Sequence, residues 1–348
     1  MYYELLENFW GNFLDPKKRI FAGYLLSAIL IAFLWLVFRR NLSGREAVVK
    51  IFDRTVLFSR SSFADIKVFF INRVFTFFIS PLLITQLVIA TAIFNLLISL
   101  EWSVSNFGDI VPTPLVIASF TMFVFILDDL TKYIVHRWMH KLPFLWALHK
   151  VHHSAQHLTP MTIFRTHPLE GVVFSMRSAF VQGVSISVFF YIFGNKVDLA
   201  TILGVNIFVF IFNALGSNLR HSHIGIRYWN WLEYILISPA QHHLHHSVAS
   251  EHYDKNFGAT LAIWDWIFGS LHHSVESETL SLGVDDKSDR DPNSLSDLYI
   301  KPLATCFSEL VKYPIVITNY FARKLSKFRS CALDDSVSIK TTNQSTRH

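Results

Sequence analysis

Uncharged apolar runs recur along the chain at lengths that suit a bilayer. A helix crossing the hydrocarbon core needs about 20 mainly apolar residues. Residues 20–38 carry no charge over nineteen positions, 80–100 none over twenty-one, and 199–217 none over nineteen. Residues 111–127 are apolar for seventeen positions and then meet Asp128 and Asp129, while 172–193 are interrupted only by Arg177. One such run fits a buried helix of a large soluble protein. Five predict an all-α, polytopic membrane protein of about five transmembrane helices. The stretch 68–79 is apolar but broken by Asn72 and Arg73, so it predicts an interfacial or tilted segment. The first run is too long for the apolar part of a signal peptide, and Arg39 and Arg40 follow where small residues would mark cleavage. It reads as a retained anchor.

Loop charge predicts the orientation. Residues 39–79 hold eight Lys/Arg and 101–110 hold none, which puts the first loop in the cytoplasm and the second outside. Lys17, Lys18 and Arg19 lose this comparison and are expected outside. Threading the remaining spans places 128–171 and everything after 218 inside, with a tight outer turn at 194–198. Beyond residue 274 the pattern changes. Residues 276–297 read as a polar linker, and 298–329 mix apolar positions with six Lys/Arg, as a basic interfacial helix or a docking helix would. The last 20 or so residues are polar and predict disorder.

Composition agrees with this picture. The chain of 348 residues is 51% hydrophobic and only 16% charged, with a mean hydropathy of +0.35. That charged fraction argues against an ordinary soluble enzyme. Cys306 and Cys331 cannot build a disulfide framework or a thiolate metal site. A net charge of +5 in so apolar a chain points to anionic lipid surfaces before nucleic acid, and no nucleic-acid partner is expected.

Histidine is the unusual residue. Sixteen of seventeen lie between His136 and His273, eleven of them in the runs HRWMH, HKVHH, HSH and HHLHH. His136 and His140 are spaced i, i+4; His149, His152 and His153 are spaced i, i+3, i+4, and so are His242, His245 and His246. On a helix these spacings gather imidazoles on one side, where several can reach one ion at about 2.0–2.1 Å. Isolated interfacial histidines or a pH sensor would not require the same set twice. The eight imidazoles exceed the four ligands of one zinc site, and two ions fit them better. Imidazole suits iron, zinc and copper alike, so spacing leaves the metal open. Asp129, on the helical stripe of His136 and His140, is a candidate to accept the second ring N–H of a ligand histidine, and Asp129 and Glu170 are candidates to supply negative charge beside the neutral imidazoles. No nucleotide, flavin or haem motif and no HExxH is present. Any redox chemistry therefore needs electrons from a separate protein.

The blocks YIVHRWMHKLPFLWALHKVHHSAQHLTPMTIFRTHPLE (133–170) and NLRHSHIGIRYWNWLEYILISPAQHHLHHSVASEHYDKNFGATLAIWDWIFGSL (218–271) resemble the sterol desaturase and fatty acid hydroxylase superfamily, especially its sterol desaturase family protein branch. The resemblance covers roughly 115–273. It implies a membrane di-iron oxidoreductase that uses O2, two Fe2+ ions and an external electron donor to hydroxylate or desaturate a lipid or sterol. The donor would be of cytochrome b5 or ferredoxin type, with its reductase. By position it implies the metal ligands His136, His140, His149, His152, His153, His242, His245 and His246, with His221 as a further ligand. His167 and His223 are implied as additional metal or supporting residues; His243 is left outside. The chain then divides into an N-terminal anchor region (1–113, two spans and a basic cytoplasmic loop), a hydroxylase-like catalytic domain (114–275) and a tail (276–348). It would sit in a bacterial inner membrane or the endoplasmic reticulum with its histidine boxes facing the cytoplasm. The competing reading is a metal-binding membrane protein of the same fold without catalysis.

Overall fold

The structure, a computed structural model, describes residues 10–100, 110–198, 201–202, 204, 206–275, 280–284 and 291–312. The elements that frame the molecule are α1 (Ala22–Leu34, continued by a π-turn at Trp35–Arg39), α2 (Gly44–Ile51), α3 (Arg60–Ile79), α4 (Gln86–Ser99), α5 (Thr113–Lys141), α6 (Pro143–His153), α7 (Pro168–Phe193), α8 (Ile207–Ala214) and α9 (Pro239–His245). No strand joins them among the described residues, only two isolated bridges. The protein is an all-α, polytopic membrane protein.

Local sequence explains where these helices start. Ser43 and Glu46 form a reciprocal capping box for α2, and Ser238 and Gln241 form one for α9. Proline opens α6, α7 and α9, where its missing N–H costs nothing and its fixed φ suits the first turn. Pro143 thereby makes the abrupt break that turns the chain from α5 into α6.

Four helical stretches are long and apolar enough to cross a membrane: Ala22–Arg39, Arg60–Ser99, Thr113–Lys141 and Pro168–Phe193. The expected second span, 80–100, and the segment 68–79 fall in one such stretch, α3 and α4 joined by a 3-10 turn at Ser80–Leu82. The expected fifth span at 199–217 differs. Its described helix is α8, eight residues and about 12 Å long, too short to cross. Residues 199, 200, 203 and 205 lie outside the described residues, as does most of the 101–110 loop.

The helices interlock through small residues and one polar tie. A Cβ at Gly183 of α7 would lie 2.6 Å from Ile89 Cγ2 on α4, so glycine allows the two backbones to approach closely. Phe120 of α5 meets Phe189 of α7 with ring centroids 5.3 Å apart. Lower down, Arg177 of α7 donates to Asp128 Oδ1 at 2.9 Å, and Lys132 reaches Asp128 Oδ2 at 2.6 Å. The lone charge of that apolar run is therefore paired inside the bundle, as an acid and a base at membrane depth must be.

The N-terminal segment contradicts the orientation expected for it. Arg19 donates to Asn213 Oδ1, the Ser217 carbonyl and Asn218 Oδ1 at 2.8–3.1 Å. Residues 19 and 218, assigned to opposite faces by loop charge, thus lie together. Farther along, Ala28, Ala32 and Leu36 of α1 share a core cluster with Leu219, Ile224 and Ile226. Charge counting treats every arginine as a solvated loop charge, but Arg19 is consumed by buried hydrogen bonds.

The polar linker is also more than a linker. Ser247 bridges Leu282, and Val248 N–H donates to the Ser281 carbonyl. The fully buried Arg165 donates to Asp65, the Pro292 carbonyl and Asn293, and Leu298 packs on Ala64, Val68 and Val151. Backbone bonds and one buried guanidinium fasten 280–284 and 291–300 to the helical cap.

Candidate metal centre

Nine histidines converge in two groups, within each of which one ligand atom per residue lies within 4.8 Å of the others. His136, His140, His149, His153 and His245 form the first; His152, His221, His242 and His246 form the second. The rings of His153 and His246 stack across the boundary with centroids 4.5 Å apart. These are the nine residues expected as ligands. The structure divides each HxxHH box between the groups. Residues four apart on a helix lie about 40° apart around its axis, whereas consecutive residues lie about 100° apart. His149 and His153 therefore face one group and His152 the other; His242 and His246 face the second and His245 the first.

The geometry fits metal ions. In the second group, Nε2 of His221 lies 3.2 Å from His152 Nε2 and 3.0 Å from His242 Nε2, and His242 Nε2 lies 3.2 Å from His246 Nε2. Two nitrogens each about 2.1 Å from one ion, at right angles, would sit about 3.0 Å apart. In the first group, Nε2 of His140, His149 and His153 is buried with no hydrogen-bond partner, an arrangement that costs stability unless another ligand satisfies it. Burial pushes the imidazole pKa of His149 down to about 3 and that of His152 to about 4. Neutral imidazole is the form that binds metal.

Outer contacts aim these rings. His136 Nδ1 lies 2.8 Å from the Phe257 carbonyl, and His245 Nδ1 lies 2.8 Å from the Lys255 carbonyl. Each Nδ1–H donates to its carbonyl, leaving Nε2 as the lone-pair ligand. Both carbonyls come from the DKNFG turn, where Asp254 and Asn256 have positive φ. Asp265 fixes that turn by accepting from Phe257 N–H and Gly258 N–H at 2.8 and 2.7 Å. A Cβ at Gly258 would lie 2.7 Å from the Leu261 carbonyl, so only glycine fits there. Glu170, on the first turn of α7, holds His149 Nδ1 at 2.8 Å in a fully buried contact.

Other expected residues fall elsewhere. Asp129 touches no histidine: its carboxylate accepts from Thr260 N–H, Leu261 N–H and the Trp264 indole at 2.9–3.0 Å. It anchors the loop after the turn, and Glu170 is the carboxylate that meets a clustered histidine, His149. Asp129→Asn is therefore expected to cost stability, about 1–3 kcal/mol for a weakened buried acceptor. Metal stoichiometry should hold; denaturant unfolding beside metal analysis checks this. Asp128, its neighbour, carries the tie to Arg177. His223 lies against the Lys50 carbonyl at 2.6 Å, and His167 caps α7 and reaches the Tyr299 carbonyl. Neither joins a histidine group, and His243 also lies outside both. The carbonyls of Lys255 and Phe257 escaped the sequence reading because a backbone group leaves no residue signature. Positive φ at two positions of DKNFG was the available signal.

A cavity of about 330 Å³ reaches the first group through His140, His153 and His245, and its other walls include Trp146, Tyr253 and Val284. Trp146 packs on His140 and His153 with ring centroids 5.0 and 5.4 Å apart. Lys141 and Asp254, paired at 2.5 Å, flank it.

The fatty acid hydroxylase family model matches residues 121–270, which contain both histidine groups. Alkylglycerol monooxygenase of Danio rerio is 29% identical over 158 residues, 45% of this chain and 31% of that protein. The ornithine lipid hydroxylase OlsE of Rhizobium tropici is 25% identical over 47% of this chain and 44% of its own. Lathosterol oxidase of Rattus norvegicus is 25% identical over 56% and 60%. The chain thus spans between about a third and three fifths of the length of these relatives. No solved structure matches it. The segment that builds the two histidine groups, residues 121–270, is thus similar to the fatty acid hydroxylase family.

Proposed function

We infer that the protein is a membrane-bound di-iron oxidoreductase that hydroxylates or desaturates a C–H position of a lipid or sterol. The observation that carries this reading is the convergence of nine histidines into two adjoining groups inside a fatty acid hydroxylase domain. Relatives named as monooxygenase, hydroxylase, oxidase and desaturase support it. His136, His140, His149, His153 and His245 would hold one ion, and His152, His221, His242 and His246 the other. Bound iron would supply the activation of O2, at the expense of two electrons from a separate one-electron carrier protein. Hydroxylation then balances as substrate C–H plus O2, two electrons and two protons giving alcohol and water; desaturation gives an alkene and two waters.

The chain's own residues set the conditions. Burial keeps the imidazoles neutral and excludes bulk water from the four-histidine group. Glu170 and the carbonyls of Lys255 and Phe257 fix three rings in orientation, so the donor atoms are in place beforehand. The cavity under Trp146 and Tyr253 provides an approach to the five-histidine group. The eight-to-zero loop charge contrast supports a cytoplasmic position for the histidine cap.

Protein purified anaerobically is expected to hold two metal ions per chain, with iron in the active form. Elemental analysis paired with lipid profiling of an expressing host tests both halves of the reading. Zinc in the sample would leave it standing, since zinc binds the same ligands and outranks Fe(II) in affinity. One ion or fewer at full occupancy would refute the two-site assignment. Two ions with unchanged lipids in a host that supplies electron donors would favour a metal-binding protein without catalysis.

A further inference from the structure

A short helix of the cap, α10 (Ile263–Ile267), is turned inside out. Its one acid, Asp265, is fully buried, while Trp266, Ile267 and Phe268 at its end are 60%, 59% and 48% exposed. The segment paired with it repeats the inversion: Glu233 is fully buried, and Tyr234 and Ile235 are exposed. The two segments are joined by the Ala262 N–H, which donates to the Ile235 carbonyl at 2.9 Å. The rings of Tyr234 and Trp266 meet edge to face with centroids 5.8 Å apart. Both acids have inward partners. Asp265 accepts from Phe257 N–H and Gly258 N–H, and Glu233 accepts from the hydroxyls of Ser238 and Ser274. Five large side chains therefore make one uncharged outer face. A contiguous apolar face of this kind marks an interaction surface.

The seat of this face on α5 says what covers it. Phe268 stacks on Tyr133 with ring centroids 5.4 Å apart and planes 18° from parallel. At about 100° per residue, Tyr133 falls between Met122 and Ile126 around the α5 axis, and it stands about 10 Å beyond Ile126 along that axis. Met122 and Ile126 are exposed within a helix long and apolar enough to cross a membrane, so they face lipid. The end of α10 thus continues a lipid-facing stripe toward the cap. Arg137, one turn farther along α5, donates to Tyr133 Oη at 2.7 Å and to the Phe268 carbonyl at 3.1 Å. A cation beyond an apolar stem is the usual arrangement where hydrocarbon gives way to headgroups. Tryptophan and tyrosine are enriched at the same level. A protein partner would have to dock on a surface already continuous with the bilayer.

We propose that α10 and the adjoining residues 234–235 lie in the headgroup–acyl boundary of the leaflet on the side of the histidine cap, with Trp266, Ile267 and Phe268 inserted. The partner is the bilayer itself, met by a segment too short to span it. The inserted residues share or adjoin a five-residue helix with Asp265, which ties the membrane surface to the turn that aims His136 and His245.

The test uses the full-length protein with Cys306→Ser, Cys331→Ser and Ile267→Cys, labelled with a fluorophore and placed in phosphatidylcholine nanodiscs. Part of the lipid carries a nitroxide quencher, either near the headgroup or near the bilayer centre. The label at 267 is expected to be quenched at least about twofold more by the shallow nitroxide than by the deep one, as burial at the headgroup–acyl boundary requires. Iodide in the water should reach it poorly. A label at Ile126→Cys is the deep reference and should show the opposite preference. An unchanged unfolding temperature is the check on folding; if Ile267→Cys fails it, Trp266→Cys is read the same way. Free quenching by iodide with none by either lipid leaves the face in water and overturns the proposal. Stronger quenching by the deep nitroxide overturns it by placing α10 in the hydrocarbon core. Shielding from lipid and iodide alike also overturns it, and assigns the face to a second copy or another protein.

Discussion

The His152→Ala protein is expected to express and insert normally, bind one metal ion where the parent binds two, and show no measurable turnover. His152 stands on α6, outside the four apolar stretches, so membrane insertion does not depend on it. Its Nε2 lies 3.2 Å from His221 Nε2, and removing it leaves His221, His242 and His246 to hold the second ion. His149 and His153, its neighbours in sequence, serve the other group, so the first ion should stay. A reaction that needs both ions then stops, while a merely structural histidine would lower stability and leave the metal count alone. His272→Ala, outside both groups, is the matched control and should be tolerated. Metal analysis and turnover on the same preparation decide the outcome. Near-normal turnover with two ions would refute the assignment of His152.

Glu170→Gln is expected to weaken metal retention or turnover about 10–100-fold, the usual cost of disturbing a partner behind a ligand histidine. The glutamine side chain still offers an oxygen to His149 Nδ1–H, so the ring keeps its place. What goes is the negative charge behind an otherwise all-imidazole, neutral ligand set. The carboxylate is buried, 2.8 Å from the ring, and its second oxygen has no other partner. Metal titration of the variant should show weakened binding in the five-histidine group, with the four-histidine group changed less. Asp129→Asn supplies the contrast: an equally buried acid whose loss acts on the 260–264 loop and on unfolding. Equal metal loss from both variants would mean that the two carboxylates act through general stability.

The clustering of the HxxxH and HxxHH histidines was legible because helical spacing is a strong, local signal, whereas His221 came only from the family resemblance. HxxHH places three imidazoles within one turn, and no tertiary information is needed to see it. The division of each box between two groups was not legible, because it depends on where α5, α9 and the Ser217–His221 turn lie around α6. The same holds for the carboxylate. Asp129 lay on the right stripe but faces the 260–264 backbone, while Glu170 meets His149 only because Pro168 begins α7 beside α6. The spans were legible from apolar run length. Run length could not show that 199–217 contains only a short described helix, or that Arg19 is half-buried and bonded to the chain ahead of His221. An arginine satisfied by two asparagines and a carbonyl reads in sequence like any other basic loop residue.

That arginine limits how the protein can be cut and recombined. The family domain begins at residue 121, so an excised catalytic unit would seem to need nothing from the first hundred residues. Arg19 fills the hydrogen-bonding needs of Asn213, Ser217 and Asn218, just ahead of His221. Without it, Asn218 Oδ1 loses its donor, at about 1–3 kcal/mol, Asn213 Oδ1 keeps only Ser217 Oγ and the Ser217 carbonyl only Arg220, and Leu219, Ile224 and Ile226 lose the apolar cover of α1. A chimera that grafts this domain behind a foreign N-terminus should assemble only if the donor segment brings an equivalent guanidinium and an equivalent Ala28, Ala32 and Leu36 face. The recognisable domain and the heritable folding unit therefore have different boundaries, and recombination between relatives should be poorly tolerated between residues 40 and 121.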